Sequence, residues 1–369
     1  MSERIIWRNV RLINSLQTVD IVIGEDGRIA ELAAAGTAGG SRIIDCTGLY
    51  ASSGWIDLHV HAVPGLDPYG DEIDEIGVGH GVTTIVDAGS CGADRIGELA
   101  ASRQQAKTRV LALLNVSRIG LQRVDELSEL HWIDREAVLR AIDRYPDLIV
   151  GLKARMSGSV VGRNGLDPLR LARSLSEESG LPLMVHIGSR PPGVEEILPL
   201  LRERDVVTHY LNGKPDNRLF DLSGRPLPAL LEARASGVRL DVGHGTASFS
   251  FEVAEMAKRA GIPFDTISTD IYRGNRLNGP VRSMSDVLTK FLSLGYELNE
   301  IIAAVTKRPA EWLGRPELGR VKAGEQANLT LFEVAERPLE LIDSEGEKRM
   351  AMQTIQARGV YTNGQYLTC

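Results

Sequence analysis

Eight short apolar runs, at 53–59, 84–88, 109–115, 148–153, 182–187, 205–209, 238–242 and 266–270, recur through the middle of this 369-residue chain. Between them lie IGELAASRQQAK, DREAVLRAIDRY, PLRLARSLSEESG, VEEILPLLRE, LPALLEARASG and SFEVAEMAKRAG, which carry apolar residues at the spacing of one helix face. Several helical stretches end in glycine just before the next run (Gly180, Gly237, Gly261), as a helix C-cap does. Strands buried on both faces and joined by helices make parallel sheets. Eight such units predict an α/β fold, a (β/α)8 TIM barrel. A doubly wound open sheet is the alternative, but no Gly-x-Gly-x-x-Gly turn follows an early strand.

The two chain ends read differently. RIIWRNVRLIN, VDIVIGEDGRIAEL and RIIDC near the start, and ANLTLFEV and TIQARGVYTNGQYL near the end, alternate β-branched residues with Gly-containing turns. That is the pattern of hairpins. The expectation is a small β-sandwich domain assembled from residues 1–51 and 316–369, flanking a barrel over 52–315.

Acidic and basic residues are interleaved and the net charge is −7. With no basic stripe or cluster, neither a nucleic acid nor an anionic membrane is expected as partner. No stretch approaches the ~20 consecutive apolar residues of a membrane span. The three cysteines, Cys46, Cys91 and Cys369, are far apart and suit neither a disulfide framework nor a thiolate metal motif. A cytoplasmic homo-oligomer acting on a small-molecule substrate is expected.

Six polar residues close or follow the apolar runs: His59 and His61, Lys153, His186, His209 and Asp270. A parallel barrel gathers the C-terminal ends of its strands on one face, and that face carries the chemistry. Residues two apart on a strand face one way, so His59 and His61 point together, and Zn²⁺ takes imidazole ligands readily. Lys153 ends LIVGLK; it either snorkels to the rim or is buried with a lowered pKa, allowing the neutral amine to take up CO₂ as a bridging carbamate. His186 and His209 are each explicable as core histidines, but together suggest a second metal. Asp270 either caps the next helix or serves as metal ligand and proton shuttle.

Four further residues fall in loops on the same face. Arg155, Arg190 and Arg273 are each either a solvated charge or an anchor for a substrate carboxylate, which arginine binds bidentately. His244, in DVGHG, reads equally as substrate contact or structural residue.

Together these residues resemble the amidohydrolase superfamily, in its binuclear, lysine-carbamate form typified by dihydroorotases and hydantoinases. KARMSGSVVG, VVTHYLNGK, RLDVGHGTASFSFEVAE and FDTISTDIY resemble most the amidohydrolase/deacetylase group, associated with acetyl esters of (R)-2-hydroxy acids such as acetyl-(R)-mandelate. The resemblance implies two Zn²⁺: His59, His61 and Asp270 on the more buried ion, His186 and His209 on the other, and carboxylated Lys153 between them. It implies ester or amide hydrolysis of a small acylated carboxylic acid, N-acyl amino acids included, by a metal-bridging hydroxide, with Asp270 and Lys153 in the catalytic machinery. The rival expectations are cyclic-amide hydrolysis of the dihydroorotase or dihydropyrimidinase kind, a dipeptidase, a mononuclear deaminase, and an inactive structural partner.

Overall fold

A computed structural model describes residues 4–13, 15 and 17–369. Its centre is a parallel sheet of seven strands in chain order: Trp55–Val60, Val82–Ala88, Arg109–Asn115, Ile149–Met156, Leu183–Ile187, Val206–Thr208 and Arg239–Asp241. Neighbouring strands pair parallel throughout. The first two strands are buried along their whole length, which accounts for their unbroken apolar character.

The expected eighth strand is not a regular strand. Residues 266–271 instead lie between the two edges of the sheet, with single bridges from Thr266 to Asp241 and from Ile271 to Val60. Asp270 N donates to His59 O at 2.7 Å, and His61 N to Ile271 O at 3.0 Å. Side chains replace the missing ladder bonds. Thr266 and Ser268 hydroxyls donate to Asp241 (2.6 Å each), while Thr269 N and Oγ1 donate to Asp57 (3.1 and 2.5 Å).

Helices cover the outer face of the sheet. Arg135–Arg144 starts at Asp134, whose carboxylate accepts from Ala137 N, and Met284–Ser293 starts at Ser283, whose hydroxyl accepts from Asp286 N; such caps satisfy otherwise orphaned N–H groups. Ile56, Leu58, Val86, Leu111, Met184 and Val206 pack with Ala310, Trp312 and Leu318 in a second apolar cluster, and Met184 Sδ lies 3.5 Å from Lys153 Nζ.

The terminal segments form one mixed eight-stranded sheet rather than the two separate sheets of a sandwich. Ile5–Leu12 pairs antiparallel with Thr18–Ile23 but parallel with Arg42–Asp45 and Tyr50–Ser53. Tyr50–Ser53 then pairs with Leu329–Ala335, which joins the two chain ends in one sheet. A hairpin not expected from sequence, Leu339–Ile342 with Lys348–Ala351, forms a two-stranded sheet of its own. Among the described residues no helix is long and apolar enough to cross a membrane.

Candidate active site

The six polar residues meet at the C-terminal end of the parallel sheet. Ring centroids of His59 and His61 are 5.6 Å apart, those of His59 and His209 5.0 Å, and those of His186 and His209 4.3 Å. Lys153 Nζ lies 3.0 Å from His59 Nε2. Asp270 Oδ1 lies 3.4 Å from His59 Nε2 and 3.1 Å from His61 Nε2, and its Oδ2 lies 4.0 Å from His209 Nε2. His59, His61 and Asp270 offer donor atoms within 4.8 Å of one another.

Strand geometry explains only part of this convergence. Lys153 and His186 belong to strands, on Ile149–Met156 and Leu183–Ile187. His209 follows directly after Val206–Thr208, and Asp270 sits in the irregular segment. Both have left-handed backbone, φ 69° and 51°, a conformation uncommon for residues other than glycine.

Hydrogen bonds aim the imidazoles. His209 Nδ1 donates to Gly243 O at 2.6 Å. Because a carbonyl only accepts, the proton is on Nδ1 and Nε2 carries the lone pair. That Nε2 is buried with no hydrogen-bond partner among the described residues. His59 Nδ1 bonds Thr208 Oγ1 at 3.0 Å, and Thr208 donates its hydroxyl to Asp241 Oδ2 at 2.8 Å. The Thr208 oxygen therefore accepts from His59, which turns an unprotonated Nε2 into the site, 3.0 Å from Lys153 Nζ. His61 Nδ1 bonds Ser90 Oγ at 2.8 Å, and Ser90 is fixed by its own N–H to Asp87. Partners of this kind set the tautomer and orientation of metal-binding histidines.

Electrostatics favour neutral donors. Burial, then the Lys153 charge, holds His59 well below the usual imidazole range. Burial and the neighbouring His209 do the same to His186, and burial lowers His209 to about 4. Burial lowers the Lys153 amine to about 7, against the pull of Asp270 and Asp241. Burial also opposes ionisation of Asp270, but the His61 hydrogen bond and the His209 charge keep its carboxyl below the ordinary value. Neutral imidazoles, a titratable amine and an ionised carboxylate form a donor set suited to divalent cations. The orphaned His209 Nε2 has no other claim on it.

The four residues expected in loops are placed unequally. Arg155 lies not in a loop but within the strand Ile149–Met156, because its ladder with Leu183–Ile187 runs past Lys153 to Met156; it is largely buried, with Nη1 on Glu126. Arg190 is half exposed and paired with Glu195 at 2.9 Å. Arg273 is partly exposed and lies 3.5 Å from Glu72 and 3.9 Å from both Asp67 and Asp71. His244 is fully buried. Its Nδ1 bonds Gly245 O at 3.0 Å, its Nε2 meets Lys290 Nζ at 2.9 Å, and its ring stacks on Phe249. With both nitrogens engaged by protein, it has the geometry of a structural residue.

Sequence reasoning missed the groups behind the site: Asp57, Ser90, Thr208, Asp241 and Glu126. Burial pushes the Asp57 carboxyl up to about 7 and the Asp241 carboxyl upward as well. Their signal was present as an acid inside an otherwise apolar strand run, in GWID and RLDVG.

No family model matches the chain. A deacetylase of Enterococcus faecalis is 42% identical over 367 residues, covering 99% of both chains. A deacetylase of Agrobacterium fabrum is 37% identical, covering 90% of this chain and 83% of that one. Among solved structures, an adenine deaminase is 41% identical over the full length of both chains with a TM-score of 0.94. A dihydroorotase is 33% identical over 99% of both with a TM-score of 0.91. Fold, donor set and relatives define a metal-dependent hydrolytic enzyme. The chain belongs to the amidohydrolase superfamily, alongside its deacetylases.

Proposed function

We propose that the protein is a deacylase that cleaves an ester or amide bond of a small acylated carboxylic acid. Acetyl esters of (R)-2-hydroxy acids, such as acetyl-(R)-mandelate, and N-acyl amino acids are the preferred candidates. The observation that carries this reading is the buried cluster of His59, His61, Lys153, His186, His209 and Asp270, above all the unpartnered His209 Nε2, in a chain whose full-length relatives are named deacetylases. Two Zn²⁺ per chain suit the donors: His59, His61 and Asp270 for one, His186 and His209 for the other, with Lys153 between them as a carbamate. An amine lowered to about 7 is substantially neutral near neutrality, the form that reacts with CO₂.

When bound, the metal pair supplies a Lewis acid for the acyl carbonyl and brings the pKa of water towards neutrality. The chain's own residues supply the rest. Asp270 faces His59 and His61 through Oδ1, leaving Oδ2 to take a proton from the attacking water. Held below its ordinary pKa, Asp270 starts ionised, as a general base must, and hands the proton to the leaving oxygen or nitrogen. Thr208, Ser90 and the Gly243 carbonyl keep the three imidazoles oriented throughout.

The same reading takes residues 266–271 as the eighth element of a (β/α)8 barrel over 52–315, with 1–51 and 316–369 as the second domain. The chain is proposed to act in the cytoplasm, where Cys46, Cys91 and Cys369 stay unpaired, and as a homo-oligomer. Cyclic-amide hydrolysis and adenine deamination are the competing reactions; two similar structures are named a dihydroorotase and an adenine deaminase.

Metal analysis paired with a panel of O-acetyl 2-hydroxy acids, N-acetyl amino acids, cyclic amides and adenine tests the proposal. Two metals per chain with turnover of acyl compounds is the expected result, and Asp270→Asn should retain most metal while losing nearly all turnover. Cleavage of cyclic amides alone, release of ammonia from adenine alone, or a metal-free protein would overturn it.

A further inference from the structure

Of the three arginines, Arg155 shares a strand with Lys153 and is left with hydrogen bonds to give. It stands two residues beyond Lys153 on Ile149–Met156, hence on the same face of the strand, and its Cα pairs with that of His186 on the next strand. Its charge is felt by His186, His209 and Lys153, each of which it lowers. Its side chain is 16% exposed, whereas that of Glu126 is 0% exposed. Glu126 receives Arg155 Nη1 through both carboxylate oxygens, at 3.3 and 3.1 Å. Asn115 Nδ2 reaches the same carboxylate at 3.5 Å and donates to Gly89 O at 3.1 Å, which ties the pair to the wall beside Lys153.

Among the described residues no protein group accepts from Arg155 Nε or Nη2. Those two nitrogens form the guanidinium edge with two parallel N–H groups, which matches both oxygens of a carboxylate. A surface arginine must give up rotamer freedom to present that edge, while one already fixed by a buried acid has far less to lose. We infer that Arg155, clamped by Glu126, is a carboxylate subsite that makes the enzyme select substrates with an anionic group next to the scissile acyl bond. Arg155 would touch the substrate; Glu126 would be a positioning residue. The inference rests on the deacylase reading and adds to it the residues that hold the substrate's carboxylate.

Steady-state kinetics on an O-acetyl 2-hydroxy acid and on its uncharged primary amide separate the two claims. In wild type the acid should have the higher kcat/KM. Arg155→Met should raise KM for the acid roughly 10- to 100-fold, the range for losing a charge-assisted pair of hydrogen bonds, with little change in kcat or in the amide. Arg155→Lys, which keeps charge and fold but not the fork, should lose most of the same preference. Glu126→Gln should move the acid-to-amide ratio in the same direction, and Glu126→Asp should recover part of it; a purely structural Glu126 would lower both substrates equally. Equal treatment of acid and amide by wild type, or an unchanged ratio in both Arg155 variants, overturns the subsite and leaves acyl hydrolysis standing. A wild type inactive on every acyl compound in the panel removes both.

Discussion

Gly245 offers the sharpest test of the geometry around Asp270. It follows His244 with φ +56°, and a Cβ built on it would sit 2.4 Å from Asp270 Oδ2, where ordinary contact begins at 3.4 Å. In Gly245→Ala the backbone is covalently fixed on both sides, so the carboxylate is the part that gives, by about 1 Å. A shift of that size stretches the 3.1 Å approach of Oδ1 to His61 Nε2 and spoils the donor set. Misplacement of a reacting group by about 1 Å typically costs on the order of 100-fold in rate, or about 2.7 kcal/mol. The left-handed backbone adds about 1–2 kcal/mol of strain to the fold. Gly261→Ala isolates that second effect: its φ is +67° but nothing lies within 4 Å of the added carbon. Both variants should therefore lose a few degrees of Tm, while only Gly245→Ala loses about 100-fold in kcat/KM and part of its bound metal. If the two variants retain kcat/KM within threefold of each other, Asp270 is not held where the geometry puts it, and its role as donor and proton carrier fails with it.

Two further outcomes follow from groups outside the site. The hairpin tip is docked by Asp343, whose Oδ2 accepts from Phe251 N at 3.0 Å and whose Oδ1 accepts from Glu345 N and Glu347 N at 2.9 and 2.8 Å. Asp343→Ala should cost about 1–2 kcal/mol in a urea titration, the usual cost of losing a helix cap, with Asp343→Asn recovering part; an unchanged midpoint refutes the docking. Burial, with a smaller push from Asp45, raises the Cys46 thiol from 9.0 to about 12. A raised folded pKa means that its stabilisation is complete below pH 9 and is lost as pH climbs towards 12, at up to about 1.4 kcal/mol per unit. The stability difference between wild type and Cys46→Ala should therefore shrink between pH 9 and 11, and a constant difference would reject the assignment.

The parallel strands and the meeting of the six polar residues were legible in the sequence for one shared reason. Apolar runs report burial on both faces, and a histidine or lysine at the end of such a run contradicts its surroundings; Lys153 after LIVGL is the plainest case. The eighth element was misread because the same rule says nothing about hydrogen-bond ladders. DTISTD has the length and alternation of a strand, yet its hydroxyls and amides are taken by Asp57, 212 residues away, and by Asp241. Contacts of that range leave no local periodicity. The hairpin at 339–351 was missed because it pairs only with itself. The three arginines looked alike in sequence, since what separates Arg155 from Arg190 is the acid each meets: buried Glu126 for one, half-exposed Glu195 for the other.

The irregular backbone at His209 and Asp270 carries a mechanical consequence. A ladder bond fixes where a Cβ points, and a seven-stranded sheet with regular ends would aim its last side chains along seven directions set by twist alone. Turning these two residues into the left-handed region frees their directions, at a cost of about 1–3 kcal/mol each. Such conformations persist only where neighbours over-determine them, and here they do. Asn212 binds His209 O through both its backbone and side-chain nitrogens, at 3.1 and 2.8 Å. Asn275 Nδ2 donates to Asp270 O at 2.9 Å, while Asp270 N is held by His59 O. Asp270 is thus tied by its main chain to the same strand whose two histidines its side chain faces. Its distance to them is then set by main-chain bonds of the fold.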